Sequence, residues 1–240
     1  MDAVLLQRLA QITEEERELL QGRGVDRALY ASGRAFEVDA AKMLEKGKLM
    51  SIRPHTRFAP FPRHSHNYVE IMYMCRGKTV HRIDGDALVT LEAGELLFLN
   101  RHASHAIQRA DAGDIAVNFI VLPQFFDEAF NMAGMDNVLS RFLLGELYTG
   151  GAAVSYLHFR VREVLPVQNL VENMVWTLVN RQPGARRINQ VTMGLLLLQL
   201  MHYTECIDMS RNGSVRSPMV EAALREIEEN YRAASLTDVA

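Results

Sequence analysis

The sequence predicts a mainly β domain, a sandwich or small barrel, with helices on either side of it. Three observations carry this. Between residues 49 and 122, short apolar runs alternate with turn signals such as Asp84-Gly85 and Glu92-Ala93-Gly94. From Pro123 onward, apolar residues recur at the three- and four-residue steps of helices. Residues 1–30 carry a helical stripe of their own, beginning at Val4, Leu5, Leu6 and Leu9.

Composition bounds the function. The chain has 240 residues, 48% hydrophobic and 23% charged, with a net charge of −3. That is an ordinary soluble composition without the basic field of a chain-wide nucleic-acid binder. Cys75 and Cys206 are the two cysteines, too few for a disulfide framework and in keeping with a reducing cytoplasm. Asp2 and Arg8 rule out a signal-peptide pattern, and the apolar run Leu195 to Leu198 is far too short to cross a bilayer. A cytoplasmic protein without a membrane partner is expected.

The elements follow in order. In an N-terminal helical arm, 1–48, Thr13 with Glu16 three residues on reads as a capping box. A short helix is expected from Asp39 to Glu45, ending at Gly47. In the barrel core, 49–122, Leu49 to Phe58 reads as a first strand, with Pro54 marking an edge or a bulge. Pro60 and Pro62 lead into a strand bearing His64, His66 and Glu70. Lys78 to Ile83 and Asp86 to Leu91 form a hairpin about Asp84-Gly85, where both turn residues tolerate positive φ. Leu96 to Leu99 and Ile115 to Leu122 are buried strands. In a helical region, 123–205, helices are expected at 124–132 and 137–147, a returning strand at 156–161, and two long helices divided at Pro183-Gly184. Residues 206–217 read as a linker, with Ser217-Pro218 opening a further helix.

The candidate site lies between His64 and His105. Side chains alternate along a strand, so His64, His66 and Glu70 share a face, and Tyr68, Met72 and Met74 share it with them. His105 comes from a second strand or its edge. Three imidazoles and a carboxylate form a ligand set suited to Zn, Ni, Fe, Mn or Cu, because nitrogen and oxygen donors without a thiolate do not narrow the ion. The same cluster can instead bind an organic ligand or satisfy itself by internal hydrogen bonds. Tyr68, Met72, Met74 and Asn118 are the candidate ligand-lining residues, with core packing the alternative for both methionines. His81 and His102 read as surface or edge residues, and His55 and His158 carry no assignment.

His64-x-His66-x3-Glu70-x6-Gly77 resembles the first cupin motif, and Gly94 with His105 resembles the second at its glycine and terminal histidine. Phe58 stands where the family's leading glycine would be, and Asn100 and His102 stand where proline and glycine are usual. The resemblance implies a double-stranded β-helix, a jelly-roll barrel. The looser second motif and the chain downstream resemble the sensor half of an AraC/XylS-type transcription regulator. That family dimerises through helices after the cupin. The band Gly194 to Leu198 is apolar most of the way round its helix, and Leu195, Leu196 and Leu198 are the candidate homodimer contacts. Residues 218–240, with Ser235-Leu236 and Ala240, look like the start of a truncated AraC-type helix-turn-helix domain.

The resemblance therefore implies an effector-sensing and dimerising part of a regulator, not an enzyme, with no catalytic residues. Its effector is a small molecule, a sugar being common in the family. DNA would be a partner of the full-length protein and not of a chain ending at residue 240. The alternative is a metal-dependent cupin enzyme, an oxygenase or isomerase, using the same four ligands.

Overall fold

The computed structural model describes residues 1–149, 151–203 and 207–209. Two short helices come first, α1 (Ala3–Leu9) and α2 (Glu14–Leu20). Thr13 and Glu16 form the expected reciprocal cap on α2. A 3-10 turn (Arg27–Leu29), strand β1 (Glu37–Val38) and helix α3 (Ala40–Met43) complete the arm. The strands β2 (Met50–Pro54), β3 (Phe61–His66), β4 (Val69–Arg76), β5 (Lys78–Ile83), β6 (Ala87–Glu92), β7 (Leu96–Leu99), β8 (Ser104–Ile107) and β9 (Ile115–Val121) follow. After a 3-10 turn (Pro123–Phe126) come α4 (Asp127–Ala133), α5 (Val138–Leu144), a small hairpin of β10 (Tyr148–Thr149) and β11 (Ala152–Ala153), and β12 (Tyr156–Phe159). The long helices α6 (Leu165–Val179) and α7 (Ala185–Met201) precede a last described strand, β13 (Ile207–Met209).

Two sheets face each other, a five-stranded one in the order β1-β3-β8-β5-β6 and a six-stranded one in the order β13-β12-β7-β4-β9-β2. The chain crosses repeatedly from one sheet to the other, as a cupin-type jelly roll requires. β7 shows why a strand can be apolar at every position. Leu97 and Leu99 pack between the sheets, whereas Leu96 and Phe98 face the helices. β4 is likewise covered on both faces: Met72 and Met74 point between the sheets, and Val69, Ile71 and Tyr73 point to the helical layer.

Turn chemistry explains the connections. Asp84 (φ +52°) and Gly85 (φ +95°) make the hairpin between β5 and β6. Gly94 has φ +86°, and a Cβ there would lie 2.8 Å from Cβ of Arg162, so this motif glycine is fixed by conformation and by space. Phe58, in place of a glycine, adopts φ +72°. That left-handed conformation costs a bulky residue roughly 1–2 kcal/mol. Its N–H donates to the Ala110 carbonyl at 2.8 Å, which helps to hold the turn. Asn100 is buried and its amide donates to the carbonyls of Phe142 (3.2 Å) and Val154 (2.8 Å), while its Oδ1 accepts from the N–H of His102. It thereby ties the barrel to the helical region, a task the usual proline has no side-chain amide to perform.

Several expectations need correcting. His64, His66 and Glu70 do not share one strand: the chain turns at Asn67-Tyr68, leaving the histidines in β3 and the glutamate in β4, in opposite sheets. The arm is not wholly helical, because β1 pairs in parallel with β3 and extends the five-stranded sheet. A two-residue strand is too short to show a periodicity. Part of the expected linker, 207–209, is the edge strand β13 on β12. The helix expected at 137–147 stops at Leu144, where Gly145 takes φ +75°. The helix from Ser217 and the helix-turn-helix start at 218–240 lie outside the described residues.

Leu196 is a further correction. It is fully buried in its own chain's core, with Leu197 and Leu200, so it cannot reach a second copy. Leu195 is 43% exposed and Leu198 is half-buried. The cause is the packing of α7 against α4 and α6, which takes one side of the apolar band. Gly194 permits the close approach: a Cβ there would lie 2.5 Å from the sulfur of Met132 on α4.

Candidate ligand and metal site

The site forms where the two sheets face each other. On β3, a register irregularity between Phe61 and His64 turns both side chains inward although they are three residues apart. His64 then pairs directly with His105 on β8, and the two rings are 4.2 Å apart. Glu70 reaches across from β4 and places Oε2 3.3 Å from His105 Nε2. One donor atom each from His64, Glu70 and His105 lies within 4.8 Å of the others, and all three residues are buried.

Backbone bonds set the tautomers. His64 Nδ1 lies 2.9 Å from the Pro62 carbonyl, and His66 Nδ1 lies 2.9 Å from the Tyr68 carbonyl. A carbonyl only accepts, so each Nδ1 carries the proton and each Nε2 keeps a free lone pair. This is the orientation that ligating imidazoles use. His66 does not join the trio, however. Its bond to the Tyr68 carbonyl holds it beside His105, with the rings 5.8 Å apart.

The cluster extends beyond the expected residues. His81 is wholly buried, not at the surface as its sequence suggested, because Thr79, His81 and Ile83 form the inward face of β5. It bonds Thr79 Oγ1 at 2.8 Å and stacks on His105 at 5.9 Å and 14°. His55, just after β2, is also buried and lies 6.2 Å from His81. Asn118 on β9 donates to Glu70 Oε1 at 3.0 Å. Among the described residues, the buried side-chain nitrogen and oxygen atoms without a hydrogen-bond partner belong to His55, His66, Glu70, His81, His105 and Asn118, with Asn189 on α7 the exception. Native proteins leave few such atoms, so their concentration in one connected group marks a place built for something else.

Burial dominates the electrostatics. It holds the imidazoles of His64 and His105 down at about 3, assisted by His105 in the first case and by His55 in the second. Burial also lowers His55 and His66, and holds His81 well below the usual imidazole range. The five rings are therefore neutral near pH 7, the form in which imidazole donates a lone pair.

A pocket of about 430 Å³, counted out to its open mouth, leads to this group. His64, Glu70, His55 and Asn118 line its polar depth, and Tyr68, Phe61 and Ile120 its walls. At the solvent side, the Arg53 guanidinium lies 4.9 Å over the Tyr30 ring, and the Tyr30 hydroxyl donates to Glu15 at 2.5 Å. Of the four expected lining residues, Tyr68 and Asn118 are in the wall. Met72 and Met74 are not: both are fully buried between the sheets, further along the face that the parity argument assigned them. Parity gives a residue's face but not its depth. His55 and His81 were missed for a related reason. The alternation of Thr79, His81 and Ile83 against Arg82 was a usable signal, whereas His55 lies beyond a strand end and offered none.

Residues 51–130 match the family model described as AraC-like ligand binding domain. This stretch, a third of the chain, is similar to AraC-like ligand-binding domains. No curated protein sequence matches the chain. Among solved structures, apo ToxT from Vibrio cholerae, a single-residue variant, is similar with a TM-score of 0.50 at 11% identity, covering 80% of this chain and 79% of that one. The AraC-like transcriptional activator CuxR gives 0.34 at 13% identity, with 71% of this chain and 53% of that one covered. A cupin protein from Bacteroides fragilis gives 0.26 at 28% identity, covering 30% and 64%. The ToxT likeness speaks to the fold, barrel and helices together.

Proposed function

We propose that this chain is the effector-sensing and dimerising part of an AraC-type transcription regulator, binding a small molecule in its barrel beside a divalent metal. The observation that carries the reading is the open pocket ending on buried, unpartnered polar atoms. The donor set fits a metal: two neutral imidazoles and a carboxylate, close enough to share one ion, inside a stretch similar to AraC-like ligand-binding domains. His64, Glu70 and His105 would hold it, supplying a fixed positive centre that orients an effector. His66 would stay beside the ion without ligating it. The test is metal content by elemental mass spectrometry, on chain purified without a chelating tag and reconstituted with Zn, Ni, Fe or Mn. About one ion per chain is expected, retained in His66→Ala and reduced at least tenfold in His105→Ala. A folded chain that takes up none of these ions would defeat the metal reading.

The reading is of a binding module rather than an enzyme, acting in the cytoplasm. Among the described residues, no helix is long and apolar enough to cross a membrane. Binding would act by favouring one arrangement of a dimer over another, which requires unequal effector affinity for the two. DNA contact would be the work of a helix-turn-helix domain of the kind that residues 218–240 resemble in sequence.

The dimer seam would run along α7. Ile188, Val191 and Leu195 are 36%, 37% and 43% exposed, and with Leu198 they recur at the 3-4-3 spacing of a two-helix contact. Sedimentation at micromolar concentration is expected to show a dimer that Leu195→Glu converts to monomer without loss of helix content. Leu196→Ala is expected instead to cost about 2–5 kcal/mol of stability, as an emptied core site does. A monomeric wild-type chain would remove this part of the proposal.

A further inference from the structure

We propose that the effector is a small 2-hydroxycarboxylic acid, bound so that it chelates the metal while His55 and Asn118 hold its outer atoms. This rests on the metal reading of the same site and adds the chemistry of the ligand.

Charge counting comes first. A divalent ion with two neutral imidazoles and one carboxylate retains a net charge of one positive unit. Glu70 is the only acid among the pocket's lining residues, and Arg53, the other ionic group there, is itself positive. His64, Glu70 and His105 are nearly or wholly inaccessible to water, so this excess would be poorly solvated. An uncompensated charge in such a place is costly, and a ligand carboxylate cancels it. A neutral polyol cannot.

Coordination comes second. Three protein donors would leave a divalent first-row ion with open coordination positions, and two of the three, His64 and Glu70, line the pocket. A carboxylate oxygen and an adjacent hydroxyl oxygen fill two of them in a five-membered chelate.

The pocket wall supplies the third argument. His55 is 3% exposed, lines the pocket, and makes no hydrogen bond of normal geometry at either ring nitrogen, Asn118 being its nearest polar neighbour. Asn118 gives its amide N–H to Glu70 Oε1 and keeps Oδ1 free. The two side chains face each other without a hydrogen bond of normal geometry. One offers an N–H and the other an acceptor. A 2-hydroxycarboxylate matches both: its free carboxylate oxygen accepts from His55, and its hydroxyl donates to Asn118 Oδ1. A simple carboxylate leaves Asn118 unpaired, and a diol leaves the charge uncancelled. Phe61, Ile107 and Ile120 line the remaining wall, an apolar face that suits a short apolar chain on the acid.

The experiment loads the whole chain with Co²⁺ and titrates it with lactate, propionate and propane-1,2-diol. It reads the visible d–d absorption of the ion together with the heat of binding. Lactate is expected to change the spectrum and to bind at least about tenfold tighter than propionate or the diol, and not to bind the metal-free chain. His55→Phe is expected to weaken lactate at least about tenfold. Asn118→Asp, nearly isosteric and so least disturbing to the fold, adds a negative charge beside Glu70 and is expected to weaken lactate while tightening Co²⁺. A Co²⁺-loaded chain that ignores lactate, or binds the diol as well, overturns the hydroxy-acid assignment and leaves the metal site standing. A folded chain that takes up no Co²⁺ overturns both.

Discussion

Acidifying the metal-free chain from pH 8 to pH 5 is expected to remove about 4 kcal/mol of folding stability through His64 and His105 alone. The sign follows from proton counting. Unfolded imidazoles bind protons below about pH 6.5, while burial keeps these two neutral in the fold down to about 3. The unfolded state therefore binds more protons throughout that window, and stability falls as pH falls through it. At pH 5 each group contributes about 1.5 pH units of proton uptake, or about 2 kcal/mol. His55, His66 and His81 are lowered for the same reason and act in the same direction. Against a typical total of about 5–15 kcal/mol, this is a large fraction of the chain's stability. Urea midpoints from pH 8 to 5 measure it. A profile flat over that range would mean that the rings are protonated in the fold or reached by water. Glu16, whose carboxyl burial pushes up and Arg57 draws lower still, acts in a separate window below about pH 4.5.

Replacing Arg57 by Met is expected to cost about 3–5 kcal/mol, because it strands a buried charge. Arg57 and Glu16 are 3% and 1% exposed, joined through Nε to Oε1 at 2.7 Å and Nη2 to Oε2 at 2.9 Å. The guanidinium also donates to the carbonyls of Ala10, Gln11 and Ala112. It thus fastens α2 and the loop before it to the barrel, two residues after His55. Adding Glu16→Gln to Arg57→Met should return at least about 1–2 kcal/mol, since the partner is then no longer charged. Denaturant unfolding of the two singles and the double measures the coupling. Strict additivity would show that the pair is not an energetic unit.

The pair also shows the limits of sequence reading. The cap of α2 was legible because Thr13 and Glu16 are three residues apart. The same Glu16 carboxylate serves Arg57, 41 residues away, and no local pattern announces that. The candidate trio was similar. His64, Glu70 and His105 could be named from their spacing, yet the reason they meet is not strand parity. They meet because a turn at Asn67-Tyr68 sends β4 into the opposite sheet and a bulge re-aims His64.

The sequence by itself determined much of the order of strand and helix, the hairpin at Asp84-Gly85 and the positions of the motif glycines, and it singled out His64, Glu70 and His105 as candidate donors together with His66, which the fold leaves outside the trio. These depend on backbone preference and on periodicity, both local. Tertiary structure alone decided depth and partnership. It placed Met72 and Met74 away from the pocket, drew His55 and His81 into the imidazole group, and set Leu196 inside while leaving Leu195 outside. An alternating strand or an apolar helix states which faces must be covered. What covers them depends on elements far along the chain, because burial is a property of the packed layers and not of the segment.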